Sequence, residues 1–261
     1  QSPGMAQWLQ MEIAKKRGVA ANFQFPMPSS FIWKLYADNL PNVSTQNPFE
    51  KDSTLWRLMR LIPTFLQQKE FEPLKKYLSS SPVSEQQKLY QLSLKVADLF
   101  DQYLVYRPEW IAAWEENNDE KTLAQINQQK QGLSALNPTF LSQIKGNIHW
   151  QGILWRALVD DVQRDFGGKA KHRAALNQQF LALCCDPNAT INLPERIFIF
   201  GIPALPTVYL NIFQGISAKT DVHLFFNNPC QEYWGDLRDL SKSYLLERQR
   251  FVQESNDVKP L

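Results

Sequence analysis

Three polar residues on one predicted helix carry the clearest candidate chemistry in the sequence. Asp98, Asp101 and Gln102 lie at positions i, i+3 and i+4 of a segment with helical periodicity, so their side chains share one face. The opposite, apolar face is predicted to be buried and comprises Leu92, Val96, Leu99, Phe100 and Tyr103. Two carboxylates beside an amide are typical either of a solvated acidic face or of a surface that binds hydrogen-bond donors of a ligand.

Such acids could bind the base edges of DNA, which carry hydrogen-bond donors. A carboxylate repels phosphate but accepts hydrogen bonds from cytosine N4 or from the N–H groups of guanine. Gln7 and Gln10 offer further amides. Arg107 and Arg173 can make the phosphate or guanine contacts that acids cannot make. Trp33 can stack on a base, although a tryptophan in an apolar helix is also typical of a core.

Motifs for nucleotide binding and hydrolysis are missing from the sequence. No Gly-x-x-x-x-Gly-Lys-Ser/Thr motif occurs, and the loop 201–206, with one glycine and two prolines, cannot present a run of N–H groups to a phosphate. The histidines share no short motif with a nucleophile, so each is predicted to be a surface or core residue: His149, His172 and His223. Asp160 and Asp161 are predicted to lie on a solvated face.

Composition limits the class of protein. The chain has 261 residues, is 44% hydrophobic and can bury a core. Its 28 basic and 26 acidic residues give a formal charge of +2, so any DNA must be held in a local groove. No apolar run reaches the ~18 residues of a membrane span and no signal peptide is recognisable. We therefore expect a cytoplasmic protein without a membrane partner, in which Cys184, Cys185 and Cys230 are reduced.

The first fifty residues predict a helix, a strand and a second helix. The first helix runs from Pro3 to about Lys16, ends at Gly18, and is expected to be anchored by Trp8 and Leu9. Residues 19–23 predict a short strand. A capped helix then follows the prolines at 26 and 28.

A helical block and a β-α-β unit follow. Residues 53–173 have helical periodicity, with breaks expected at Pro63, Pro73, Pro108, Pro138 and the segment 79–82. The polar segment 116–131 predicts a solvated excursion outside the core.

The β-α-β unit begins at residues 196–201, which predict a buried parallel strand, and continues with a helix at 207–214 and a second strand at 222–226. The predicted fold is α/β: a parallel sheet, whose first strands are expected upstream of Gln1, with a large all-helical insertion. The expected parts are residues 1–50 and 186–261 for the α/β domain and 51–185 for the insertion.

Several segments of the sequence resemble, in order, the N-terminal part of the exodeoxyribonuclease V gamma chain (RecC) family. They are Ser2–Gln10, Ala21–Asn22 with Phe25–Pro26, Ser30–Trp33, Ala97–Pro108, and Asn228–Cys230 with Tyr233–Asp236. The resemblance covers nearly the whole chain and implies a fragment of a much longer protein. It also implies that the α/β domain is an inactivated superfamily 1 helicase-like domain.

The resemblance implies a non-catalytic subunit of the RecBCD helicase-nuclease. Such a subunit holds the beta and alpha subunits together and scans 3′-ended single-stranded DNA for the Chi sequence during double-strand break repair and recombination. Its expected partners are those two subunits and single-stranded and forked DNA. No cofactor is expected in this chain, because ATP and magnesium would be bound by the partner subunits.

Carried over by position, the family's Chi-reading surface includes residues from three parts of this sequence: Gln1, Pro3, Gln7, Met27, Trp33, Asp98, Leu99, Asp101, Gln102, Arg107 and Arg173. Two of them depart from the family pattern, since Pro3 replaces a hydroxyl residue and Met27 replaces another apolar residue. The segment 116–146 is longer than in the family, so Chi preference is expected to differ slightly.

Two alternatives remain open at the level of sequence. One is a functional ATP-dependent helicase domain whose phosphate loop lies upstream of Gln1, which a Gly-Lys-Ser/Thr sequence there would support. The other is a structural α/β module that binds only proteins.

Overall fold

The computed structural model describes residues 3–80, 84–126, 146–202 and 204–226, together with the helical backbone of 127–129 and 138–145. These residues form ten α-helices, a 3-10 turn at Lys69–Phe71 and two strands. The helices are α1 Pro3–Arg17, α2 Pro28–Asn39, α3 Lys51–Phe65, α4 Glu72–Ser79, α5 Glu85–Tyr106, α6 Pro108–Glu115, α7 Asp119–Gln129, α8 Pro138–Asp165, α9 Arg173–Cys185 and α10 Thr207–Ser217. The strands are β1 Arg196–Phe200 and β2 Asp221–Phe225.

The chain divides into two units. The first comprises Gln1–Ile197 and Ala204–His223 and carries all ten of the described helices, whereas the second comprises Phe198–Pro203 and Leu224–Leu261. In the first unit, α3 packs along α5, and α8 packs against α3, α6 and α7. The motifs at 228–230 and 233–236 lie outside the described residues.

Large aromatic side chains fill the core of the first unit. Trp114, Trp155 and Phe100 expose at most 1% of their surface, and the Phe100 and Trp155 rings pack edge to face at 5.3 Å. Burying one such side chain contributes about 3 kcal/mol relative to leaving it in water. The buried face of α5 is thereby fixed, which holds the opposite face of that helix in a defined position.

The amphipathic helix predicted around Asp98 is confirmed. Val96 and Phe100 are buried, whereas Leu92, Leu99 and Tyr103 are only half-buried. Ser84 caps the N-terminus of α5, and its Oγ accepts a hydrogen bond from the Gln87 N–H at 3.2 Å.

The prolines separate helices at three of the four predicted positions. Pro73, Pro108 and Pro138 lie in the first turn of α4, α6 and α8, where a missing N–H costs nothing. The break predicted at Pro63 is wrong, because Pro63 lies inside α3, which continues to Phe65. Pro63 removes one backbone hydrogen bond to the preceding turn, and the helix ends two residues later.

The predictions for the segments 19–23 and 116–131 are also wrong. Residues 19–23 form no strand, and Asn22 has a φ of 59°, in the left-handed region that interrupts an extended chain. The segment 116–131 contains α7, on which Thr122 and Ile126 are buried. A few apolar positions were sufficient to bury one face of a helix that is polar elsewhere.

The prediction that Asp161 lies on a solvated face is wrong as well, because Asp161 is buried. It is 5% exposed and binds Arg57, Arg60 and Arg164, whereas its neighbour Asp160 is exposed. A buried carboxylate needs charged partners, and two of these arginines come from α3, more than a hundred residues earlier.

The predicted β-α-β unit is confirmed, since β1 and β2 are neighbouring parallel strands that α10 connects. The strands are not covered on both faces as predicted: Ile197 and Ile199 are buried, but Phe198 is 60% exposed and Leu224 is 54% exposed. Successive side chains of a strand point to opposite faces, so a continuous apolar run does not by itself show that both faces are covered. The helicase-like class and the three-part division remain predictions.

None of the described helices combines the length and the apolar character that crossing a membrane requires.

Candidate nucleic-acid interface

Asp98, on the outer face of α5, is held by two donors. Lys51 Nζ, at the start of α3, lies 2.6 Å from Asp98 Oδ1, and Gln102 Nε2 donates to Asp98 Oδ2 at 3.1 Å. The Lys51 hydrogen bond lowers the pKa of Asp98 and raises the pKa of Lys51. Both groups are therefore charged at neutral pH and form a half-exposed ion pair.

Asp101, one turn further along α5, pairs with Arg173. Arg173 Nη2 lies 3.0 Å from Asp101 Oδ1. Tyr209 lies close to Arg173, and burial raises the pKa of Tyr209. Because Asp101 lies on α5, Arg173 begins α9 and Tyr209 is on α10, this cluster joins three helices. The second acid of the predicted surface thus has a cationic partner too.

Trp33 is half-buried and its indole N–H is already engaged. Nε1 donates to the Ser44 carbonyl oxygen at 3.1 Å, which ties α2 to the loop before α3. The Trp33 ring meets Tyr36 edge to face at 6.3 Å, and burial raises the pKa of Tyr36. Base stacking on Trp33 would therefore use a ring face and not the N–H edge.

Arg107 lies between α5 and α6. Its Nη1 donates to the Tyr106 carbonyl oxygen at 2.8 Å, and its guanidinium lies 5.6 Å from the centre of the Trp110 ring. A cation over an indole is held in place by the ring quadrupole. Arg107 is thus held at the C-terminal end of α5, beside Trp110 of α6.

The candidate residues near the N-terminus lie on exposed surface. Pro3 begins α1, Gln7 is exposed on it, and Met27 precedes α2 with half of its surface exposed. Gln1 lies outside the described residues. Among these residues, no described hydrogen bond or ion pair joins Pro3 or Gln7 to the acids of α5.

The predicted anchoring of α1 by Trp8 is wrong, because Trp8 is 51% exposed and no residue of α1 is buried. Leu9 is half-buried. The apolar residues of α1 spread around roughly half of the helix, so they form no narrow stripe that one partner surface could cover.

A model of the family described as "RecC, N-terminal domain" matches residues 1–261. The chain belongs to the RecC family. The family resemblance drawn from the sequence motifs is therefore confirmed.

The chain is similar over most of its length to RecC proteins of three bacteria. A protein of Haemophilus influenzae named "RecBCD enzyme subunit RecC" is 63% identical over 257 residues, which is 98% of this chain and 23% of the relative. The Escherichia coli protein of the same name is 43% identical over 258 residues, 96% of this chain and 20% of the relative. A Mycolicibacterium smegmatis protein of that name is 22% identical over 236 residues, 88% of this chain and 18% of the relative. The chain thus spans about a fifth of the length of these RecC proteins.

Sequence reasoning missed two members of the site in this RecC chain, Lys51 and Tyr209. Lys51 precedes Asp98 by 47 residues, and Tyr209 lies on α10 in the β-α-β unit. The type of each residue carried no signal, because a lysine at a helix start and a tyrosine in an apolar helix are both common. Only the packing of α3 and α10 near α5 brings them to the acids.

Proposed function

We propose that this chain is the DNA-reading part of a non-catalytic subunit of a RecBCD-type helicase-nuclease. In this proposal the outer face of α5 contacts base edges of the 3′-ended single strand and contributes to recognition of Chi. Asp98, Asp101 and Gln102 form that face. The half-buried Leu99 and Arg173 lie at its margin and Arg107 at the end of the helix, and in this proposal the same strand also contacts Gln1, Pro3, Gln7, Met27 and Trp33.

The observation that carries the proposal is the pairing of both acids with cations. Unpaired, Asp98 and Asp101 would repel the phosphates that accompany any base. Lys51 and Arg173 offset these charges at 2.6 Å and 3.0 Å. Each carboxylate keeps unused lone pairs, so the face can still accept hydrogen bonds from bases.

The β-α-β unit is consistent with a subunit whose partners, and not the subunit itself, bind ATP. Pro206, which immediately precedes α10, has no N–H to donate, and in the described residues no group of His, Cys, Asp or Glu side chains is arranged to hold a metal ion. We propose that the beta and alpha subunits bind ATP and magnesium. Full-length protein purified without those subunits should hydrolyse no ATP, and DNA-stimulated turnover by it would instead support a working helicase domain.

Chi response of the assembled enzyme tests the reading face. In full-length protein with its partner subunits, Asp101→Ala and Gln7→Ala should each weaken the response to Chi while unwinding persists. A lost base contact costs about 1–3 kcal/mol. Asp160→Ala, an exposed acid of α8, is the matched control and should respond as wild type. An unchanged response in both test variants would refute the site.

A further inference from the structure

A small pocket lies beside Trp33, between the loop after α2 and the loop before α9. Its walls include Trp33, Ser44, Phe166, Lys169 and Lys171, and its volume is about 40 Å³. This volume holds a few water-sized groups, which suits a phosphate and not a whole nucleobase. Lys171 lies two residues before Arg173, the cationic partner of Asp101.

Hydrogen bonds fix both walls of the pocket in place. Trp33 Nε1 donates to the Ser44 carbonyl oxygen at 3.1 Å on one side. On the other side, the Gly168 N–H donates to the Gln163 carbonyl oxygen at 2.8 Å, and Gln163 Nε2 donates to the Ala170 carbonyl oxygen at 2.6 Å. Gly168 has a φ of 76°, a conformation that glycine adopts without strain. A preformed pocket binds its ligand with little ordering cost.

The chemistry of the walls favours an anion next to a flat ring. Two lysines line the pocket, and none of the described lining residues is acidic. Lys171 Nζ is oriented by Gln179 Oε1 at 2.9 Å, a neutral acceptor that leaves its charge unpaired. Phe166 is 41% exposed at the rim and can stack on a base.

We propose that this pocket binds one phosphodiester of the single strand, with Lys169 and Lys171 contacting the phosphate and Phe166 packing against the adjoining base. The inference rests on the proposed function, because it extends the path of the same strand past α5. The contact is independent of sequence: phosphates position the strand, whereas the α5 face reads it. Since Lys171 and Arg173 are separated by at most about 7 Å of chain, one strand can reach both.

Salt dependence of binding separates this pocket from the reading face. The full-length protein in its complex is titrated with a duplex carrying a Chi-free oligo(dT) 3′ tail, between about 50 and 200 mM salt. Lys169→Gln with Lys171→Gln should reduce the slope of log K against log salt by about 0.7, the value for one phosphate of a single strand. Lys75→Gln with Lys76→Gln, the same charge change on α4, should leave the slope unaltered. An unaltered slope in the pocket variant overturns the inference.

A second variant tests the stacking part. Phe166→Leu should weaken binding of the oligo(dT) tail about tenfold, within the range for one stacked base, and should not weaken binding of a tail that is abasic throughout. Equal losses on both tails would overturn the contact between Phe166 and a base. If the slope is unaltered in the lysine variant while Asp101→Ala weakens the Chi response, the pocket inference fails and the proposed function stands. If the slope falls but neither Asp101→Ala nor Gln7→Ala changes the Chi response, the pocket inference stands and the proposed function fails.

Discussion

Lys51 Nζ lies 2.6 Å from Asp98 Oδ1, so the first residue of α3 neutralises an acid on the outer face of α5. The contact spans two helices that pack closely along each other. It converts a face that looks acidic in the sequence into one that an anionic ligand can approach. Both side chains remain accessible to solvent, since each exposes about two-fifths of its surface (41% and 44%).

Lys51→Met should raise the pKa of Asp98 towards that of an ordinary aspartate. The hydrogen bond and charge of Lys51 are the main causes of the lowered pKa, and Gln102 contributes a further donor that the substitution leaves intact. Carboxyl ¹³C chemical shifts, followed by NMR as the pH is varied, report the change. Lys95→Met is the control, because Lys95 acts on Asp98 by charge alone and should change the pKa less. A pKa that does not move in Lys51→Met contradicts the pairing.

Asp161→Ala should destabilise the protein by about 3 kcal/mol, the cost of removing one partner from a buried ion pair. Arg57, whose side chain is only 16% exposed, would keep Asp165 as its carboxylate partner. Urea unfolding at neutral pH measures the loss. Asp160→Ala removes the exposed neighbouring acid and should change the free energy of unfolding by less than about 0.5 kcal/mol. Equal effects of the two substitutions would show that burial of Asp161 does not matter.

The contribution of Asp161 should also depend on pH. Burial acts to raise its pKa, but the hydrogen bonds from Arg57 and Arg60 outweigh burial, so the pKa is lowered. A lowered folded-state pKa stabilises the protein fully above the unfolded-state value of about 3.9, and the contribution is lost as the pH falls through the folded-state pKa. The stability difference between wild type and Asp161→Asn should therefore shrink below about pH 4. A difference that stays constant down to pH 2 would contradict this linkage.

Local patterns in the sequence predicted helices well and packing partners poorly. The face of α5 that carries Asp98 follows from a 3.6-residue period, and the parallel strands follow from two apolar runs joined by a helix. Neither pattern contains the position of Lys51 or Tyr209, because those contacts depend on how α3 and α10 pack near α5. Burial of Asp161 was missed for the same reason, since Arg57 and Arg60 lie on another helix. The α5 part of the candidate site was therefore predictable, whereas its charge balance was not.

Ser93→Ala should stabilise the protein by about 1 kcal/mol. Ser93 lies inside α5 with no exposed surface, and its Oγ has no hydrogen-bond partner among the described residues. Removing a buried hydroxyl that lacks a partner relieves its desolvation cost, and alanine is the better helix former. Thermal unfolding measures the gain. Ser79→Ala is the contrasting variant. Ser79 Oγ donates to the Lys75 carbonyl oxygen at 2.9 Å, so removing this hydroxyl should not stabilise the protein. Destabilisation by Ser93→Ala would indicate that its hydroxyl is satisfied.

Two glycines of α8 should respond in opposite directions to alanine. A Cβ at Gly146 would meet nothing within 4 Å, so Gly146→Ala should stabilise the protein by about 0.5–1 kcal/mol through helix propensity. A Cβ at Gly152 would lie 2.9 Å from Asp119 Oδ1 and 3.0 Å from Trp114 Cδ1. Neither neighbour can move freely, because Asp119 is bound by Arg156 and His149 and Trp114 is fully buried.

Overpacking of this kind costs about 1–3 kcal/mol, which exceeds the propensity gain, so Gly152→Ala should destabilise. Urea unfolding gives the free energy of unfolding of both variants. The helix preference of alanine contributes equally to both, so the difference between them measures the cost of the close approach of α8 to α6 and α7. If both substitutions stabilise the protein to the same extent, the contact between Gly152 and Trp114 is not tight.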